Sequence, residues 1–171
     1  MKNIFNKILL IISLTFFCFP INAQEVKKID SQYNFYTGNF DFSDDKQKAI
    51  LFGFQHQNET LERKTFLGNI SPITGGFITE NSAAYIYTGV EWNYDMGSKM
   101  TFTPSFTPGL YSEGNGKDLG HIVEFKTEVQ ASYTISESSS FGMSYNHISN
   151  ASIGEKNPGA NSYMFNYLKN F

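Results

Sequence analysis

HIVEFKTEVQASYTI (His121–Ile135) places Val123, Phe125, Thr127, Val129, Ala131, Tyr133 and Ile135 on one side of an extended chain. Glu124, Lys126, Glu128, Gln130, Ser132 and Thr134 fall on the other. Successive side chains of a strand point to opposite faces, so alternation sustained over this length reads as one strand with an apolar and a polar face. The period returns on both sides. In Ala84–Tyr94, Ile86, Thr88, Val90, Trp92 and Tyr94 oppose Tyr85, Tyr87, Gly89, Glu91 and Asn93. In Met100–Tyr111, Met100, Phe102, Phe106 and Leu110 oppose Thr101, Thr103, Ser105 and Thr107. Asn161–Phe171 gathers Tyr163, Phe165, Tyr167 and Phe171 on one face. Weaker runs cover Gln32–Phe42, Lys48–Gln57, Thr65–Ile78 and Ser139–Ala151, and turn-forming stretches such as DMGSK and SEGNGKD separate them. No segment carries a sustained helical period. The pattern predicts an all-β chain of eight antiparallel strands. Pro104 and Pro108 remove ladder donors from the fifth run and predict bulges or an irregular rim there.

Eight alternating strands fit two architectures. A soluble lipocalin-like barrel turns its apolar face inward around a ligand, whereas an outer-membrane barrel turns it toward lipid and fills its interior with polar groups. Three features favour the membrane form. Glu91, Glu124, Lys126 and Glu128 sit in mid-strand, where a satisfied polar lumen suits them. Aromatic residues gather near strand ends, as in Trp92–Tyr94, like an interfacial girdle. The chain closes on a strand of alternating aromatics ending in Phe171, which resembles the assembly signal of outer-membrane barrels.

The first residues place the chain outside the cytoplasm. Lys2 and Lys7 precede an apolar run from Ile8 to Phe19, Pro20 breaks it, and Ala23 offers a small residue at the expected cut. This is the layout of a secretory signal peptide over 1–23, leaving 24–171 as the barrel. The apolar run is shorter than the ~20 residues a membrane helix needs. Cys18 falls within the signal, so the mature chain has no cysteine and no disulfide to stabilise it. Seventeen Phe and ten Tyr with a mean hydropathy of only −0.31 describe an aromatic-rich chain that is polar on average, as a two-faced barrel requires. A net charge of −3 gives no basic patch for nucleic acid.

Against this frame Ser139–Ala151 carries an unusual pair. Its odd positions read Phe141, Met143, Tyr145, His147, Ser149, so the histidine and serine share the lipid-facing side. Both termini of an even-stranded barrel normally lie on the periplasmic side, so this seventh strand runs outward. His147 and Ser149 then sit at its outer end, level with the outer leaflet's head groups and upper acyl chains. A polar pair facing lipid is costly unless it works on something there. Imidazole is the usual base for a serine nucleophile, and a third group should orient it. Asn161 has the outward parity of Tyr163 and Phe165 on the next strand and can reach His147 across the hairpin; Glu155, in the loop, ranks second. His56 and His121 are isolated and read as rim residues, no cluster has the spacing of a zinc site, and the acidic stretch Asp41–Asp45 reads as a solvated turn.

HISNASIGEKNPGANS (147–162) resembles the signature of the lipid A 3-O-deacylases, the PagL-type acyloxyacyl hydrolases. GNFDFSDD, GNISPITGGF, TPSFTPGLYSEGNGKDLG and VEFKTEVQASY extend the resemblance over most of the mature chain. It implies an eight-stranded barrel in the cell outer membrane that hydrolyses the ester-linked acyl chain at position 3 of lipid A, the anchor of lipopolysaccharide. Carried onto this chain, it makes Ser149 the nucleophile and His147 the general base. It places Asn157 at the oxyanion hole, with Asn150 and Gly159 in support. The family's glutamate falls where this chain has Asn161, which can hold the imidazole but cannot stabilise its charge. No cofactor and no metal are implied; lipid A is the partner, and the family leaves room for a homodimer within the membrane. The alternative is a small outer-membrane barrel without catalysis, serving adhesion or envelope integrity.

Overall fold

The computed structural model describes residues 31–66 and 68–171; the signal peptide expected at 1–23 lies outside the described residues. Nine strands follow in chain order: β1 (Ser31–Phe40), β2 (Ala49–Asn58), β3 (Arg63–Thr65), β4 (Gly68–Thr79), β5 (Ala84–Asp95), β6 (Met100–Ser112), β7 (Val123–Ser136), β8 (Ser139–Ser149) and β9 (Ala160–Asn170). Eight of them pair antiparallel with their neighbours in a ring, from β1 through β2 and β4 onward to β9 and back to β1. The seam is tied at its end by Ser31 and Phe171, whose backbones exchange two hydrogen bonds of 3.2 and 2.9 Å. A closed ring leaves no unpaired edge, which is what a β structure in lipid requires.

Two local expectations need correction. The run expected as one strand from Thr65 to Ile78 divides, because β3 pairs with β4 as a short hairpin at the rim, outside the ring. β6 also passes through both prolines without a bulge. It keeps register with β7 there (Pro104↔Val129, Pro108↔Phe125), and the lost donors fall on the β5 side, where neither proline has a paired residue. The register shift lies instead at the end of β7, between Thr134 and Ser136.

The face assignment follows the alternation. Ile50, Phe52, Ile86, Phe102, Phe106, Leu110, Val129, Met143 and Phe165 are exposed on the outer wall. The inner wall holds the charged residues: Glu124 and Lys126 are 0% and 1% exposed, and Lys126 Nζ lies 2.9 Å from Glu128. A buried charge must be paired or hydrogen-bonded to be tolerated. A net of polar side chains runs alongside: Tyr36 to Tyr87 (3.1 Å), Tyr87 to Gln55 (3.0 Å), Gln55 to Glu91 (3.0 Å), and Asn34 to Asn166 (3.0 Å). The lumen is not polar throughout. Phe40, Leu51, Phe77, Tyr85, Tyr111, Leu119, Ile148 and Met164 form one buried apolar cluster beneath the loops at the rim opposite the termini. This layer gives those loops a rigid floor.

Both ends of the described barrel meet at one rim, so loops 41–48, 80–83, 113–122 and 150–159 share the other. With the termini on the periplasmic side, that second rim faces outward. His147 and Ser149, at the end of β8, belong to it.

Candidate active site

β8 positions His147 and Ser149 on its outer face: His147 is exposed, Ser149 half-buried, and Asn146 and Ile148 between and beside them are buried in the lumen. β7 flanks them with Thr127 opposite His147 and Phe125 opposite Ser149, and Phe125 stacks with Phe106 (centroids 6.1 Å apart). β9 sets Asn161 directly opposite His147, and His147 Nδ1 lies 2.8 Å from Asn161 Oδ1. A carbonyl oxygen only accepts, so Nδ1 carries the proton and Nε2 keeps its lone pair, the form a general base needs. Among the described residues Ser149 Oγ makes no hydrogen bond to the ring, a contact that often tightens only with substrate bound. Glu155 is exposed in the loop, and among the described residues no hydrogen bond brings it to His147.

The loop after β8 turns on a strained backbone. Ala151 (φ 52°) and Ser152 (φ 62°) are both left-handed without being glycine, and Ile153 N–H closes the turn on Asn150 O at 3.1 Å. Such conformations cost free energy and persist where the surroundings enforce them. Asn150, 0% exposed, enforces this one. Its Nδ2 donates to the carbonyls of Leu119 and Lys156, both at 2.8 Å, and its Oδ1 accepts Ser152 N–H at 2.9 Å. Its own N–H goes to Asn157 Oδ1 at 3.1 Å. That bond fixes which end of the Asn157 amide faces the residue after Ser149. Its nitrogen has no acceptor among the described residues and remains an unused donor in the loop that follows Ser149. Gly159 (φ 61°) is buried against the imidazole, where a Cβ would stand 2.8 Å from His147 Cε1, so any side chain there would push the ring aside.

Three residues near the site were not singled out from sequence. Tyr145 O–H donates to Asn161 Oδ1 at 2.8 Å. Ser43 Oγ accepts from Asn161 Nδ2 at 3.4 Å and donates to Asp41 Oδ1 at 3.4 Å. Asp41 corrects the expectation of a solvated turn: it is 0% exposed, left-handed (φ 50°), and 2.6 Å from Lys117 Nζ. The only sequence signal for Tyr145 is its parity with His147, and Asp41 and Ser43 lie far from Asn161 along the chain.

The outer loops interlock around this point. Lys117 ties loop 113–122 to loop 41–48 through Asp41, and Lys156 ties loop 150–159 to loop 113–122 through Asp118. Asp118 also accepts Gly120 N–H at 2.7 Å. Its bond to Lys156 and this backbone N–H hold its carboxyl below the ordinary aspartate range.

The comparisons agree with this architecture. The crystal structure of the outer membrane enzyme PagL superposes with a TM-score of 0.61 at 16% identity, over 81% of this chain and 98% of that one. Neisserial surface protein A superposes at 0.58 with 9% identity, over 86% of this chain and all of that one. A designed transmembrane β-barrel gives 0.55 with 10% identity, over the same share of this chain. At such identities these likenesses speak for the fold. No curated protein matches the chain. The family model for lipid A 3-O-deacylase (PagL) matches residues 35–170, from the middle of β1 to the end of β9 with every loop between them. The chain is an outer-membrane β-barrel and belongs to the lipid A 3-O-deacylase (PagL) family.

Proposed function

We propose that this protein removes the ester-linked acyl chain at position 3 of lipid A with Ser149 as nucleophile and His147 as general base. The observation that carries the reading is the 2.8 Å contact from His147 Nδ1 to Asn161 Oδ1 on the lipid-facing wall, with Ser149 on the same face. Nothing about a plain barrel wall requires an imidazole held in its basic tautomer beside a serine.

The chemistry follows from the parts. Nε2 takes the Ser149 proton as Oγ attacks the ester carbonyl. The oxyanion that develops meets the free Asn157 amide nitrogen, a donor already oriented by Asn150. As the tetrahedral intermediate collapses, the imidazolium returns its proton to the departing sugar 3-hydroxyl. Water, deprotonated by Nε2 in turn, releases the acyl group as a free fatty acid. Asn161 holds the ring in place but, unlike a carboxylate, leaves the imidazolium uncompensated, so each proton transfer costs more than it would beside glutamate. Below Ser149 the outer wall presents Thr127, Val129 and Ala131 between Phe106 and Phe102 on one side and Tyr145 and Met143 on the other, an apolar bed along β7 for the scissile chain. A signal peptide over 1–23 suits export to this membrane.

The test is expression of the chain and its Ser149→Ala variant in a heterologous outer membrane, with the extracted lipid A weighed by mass spectrometry. Loss of one 3-hydroxyacyl mass with the wild type alone is expected. Equal loss with both chains would remove Ser149 from the reaction. Unchanged lipid A beside a correctly inserted wild-type barrel would overturn the activity itself.

A further inference from the structure

An asparagine in the triad position has a weakness that a carboxylate lacks: it has two ends. If its amide turned by 180°, its nitrogen would face His147 Nδ1, which would then have to accept. The ring proton would move to Nε2, and no base would remain for Ser149. Tyr145 touches the same amide oxygen (2.8 Å), but a phenol can donate or accept and would tolerate either orientation. The Ser43 hydroxyl, 3.4 Å from the amide nitrogen, is equally indifferent by itself.

Asp41 is not indifferent. A carboxylate paired with a lysine only accepts. Its Oδ2 takes Lys117 Nζ at 2.6 Å, and its Oδ1 takes the Ser43 hydroxyl and the Asn161 backbone N–H, each at 3.4 Å. With its one proton directed at Asp41, Ser43 can only accept from Asn161. The amide nitrogen must therefore face Ser43, the amide oxygen must face His147, and Nδ1 must carry the proton. We propose that Asp41, acting through Ser43, is the acidic member of this site: a positioning residue that fixes the Asn161 amide and hence the basic tautomer of His147. The inference rests on the Ser149–His147 reading above, and it places a carboxylate one relay away, on the loop between β1 and β2, where its charge is paired with Lys117 and it acts by orienting the amide. Asp41 is fully buried in a left-handed conformation and held by Lys117 from another loop, as a fixed electrostatic reference point would be.

The test uses the full barrel in detergent micelles, with lipid A as substrate and nitrogen NMR of histidine-labelled protein. The chain has three histidines, so His147→Gln identifies the His147 ring signals. Ser43 is exposed, so Ser43→Ala is expected to leave the fold intact. It is expected to lower kcat by about three- to tenfold, the worth of one orienting hydrogen bond, with KM unchanged. The His147 ring signals should change from a single Nδ1–H form to a mixture with Nε2–H. In an Asn161→Asp background, whose side chain has no donor end to misplace, Ser43→Ala should cost nothing further. Asp41→Asn, which can bond to Ser43 in either sense, should produce the same tautomer mixture where the barrel assembles. If it does not assemble, Ser43→Ala carries the test alone. The proposal is overturned if Ser43→Ala keeps the pure Nδ1–H form and the wild-type kcat, or if it slows both backgrounds equally, which would mark a structural role. The tautomer is read without turnover, so failure of Ser149 as nucleophile and failure of this relay give different results.

Discussion

Replacing Gly159 with alanine tests whether the imidazole is clamped. A methyl group there would stand 2.8 Å from His147 Cε1 and 3.4 Å from Nε2, against an ordinary contact distance of 3.4–4 Å. The added carbon would also stand 3.3 Å from Ile148 O, which leaves it little room to move, so the ring has to retreat by about 0.6 Å. That displacement stretches the 2.8 Å bond from Nδ1 to Asn161 toward the limit of a hydrogen bond, a loss of about 1 kcal/mol, or roughly fivefold. It also moves Nε2 relative to Ser149, and a misplacement near 1 Å can cost ~100-fold. The expected fall in kcat/KM is therefore on the order of 10- to 100-fold. Alanine at φ 61° adds ~1 kcal/mol of local strain, which affects stability more than chemistry. Gly97→Ala is the matched control: it too is a positive-φ glycine (122°), but nothing lies within 4 Å of its Cβ, and its loop is at the opposite rim. Initial rates of fatty acid release from lipid A in mixed micelles measure the effect, with heat-modifiable gel migration reporting assembly. A Gly159→Ala barrel that assembles and works within twofold of wild type would refute the clamp.

Three further outcomes follow from the geometry. Glu155→Gln should leave the deacylation rate within twofold of wild type, because among the described residues that carboxylate makes no hydrogen bond to His147; a large loss would return it to the triad. Tyr85→Phe should destabilise the barrel by about 1 kcal/mol in denaturant titrations, since Tyr85 is 0% exposed and its one hydroxyl proton is shared between the carbonyls of Thr107 (2.8 Å) and Glu124 (3.0 Å); an unchanged midpoint would contradict this. Asp118 titrates below the ordinary aspartate range when folded, so its contribution to holding the outer loops is present at neutral pH and lost as pH falls through that lowered value. Protease cleavage within 113–122 should accordingly rise below about pH 4, and Asp118→Asn should show the higher cleavage already at pH 7.

Much of this was legible because the signal is local. A period of two needs no knowledge of the fold, and it assigned the outward face of Phe125, Val129 and Met143 and the inward face of Glu124 and Lys126. It also put His147 and Ser149 on the lipid side at the outer end of β8. The strand bounds that shifted, at β3 and β4, lie where a rim hairpin interrupts the alternation. The prolines of β6 misled because a sequence does not say which neighbour a residue bonds; in the ring both lost donors face β5.

The sequence by itself determined the barrel, the eight strands of its ring, its two faces and the residue types gathered at one end of β8, because each is written in the spacing of neighbouring side chains. The register of β8 on β9 turned the shared parity of His147 and Asn161 into a 2.8 Å contact. Closure of the ring decided the rest. Asp41 meets Asn161 across 120 residues of chain only because β1 pairs with β9, and Lys117 reaches Asp41 from a third loop. Such contacts depend on register, shear and loop conformation together, and no pattern of adjacent residues encodes them.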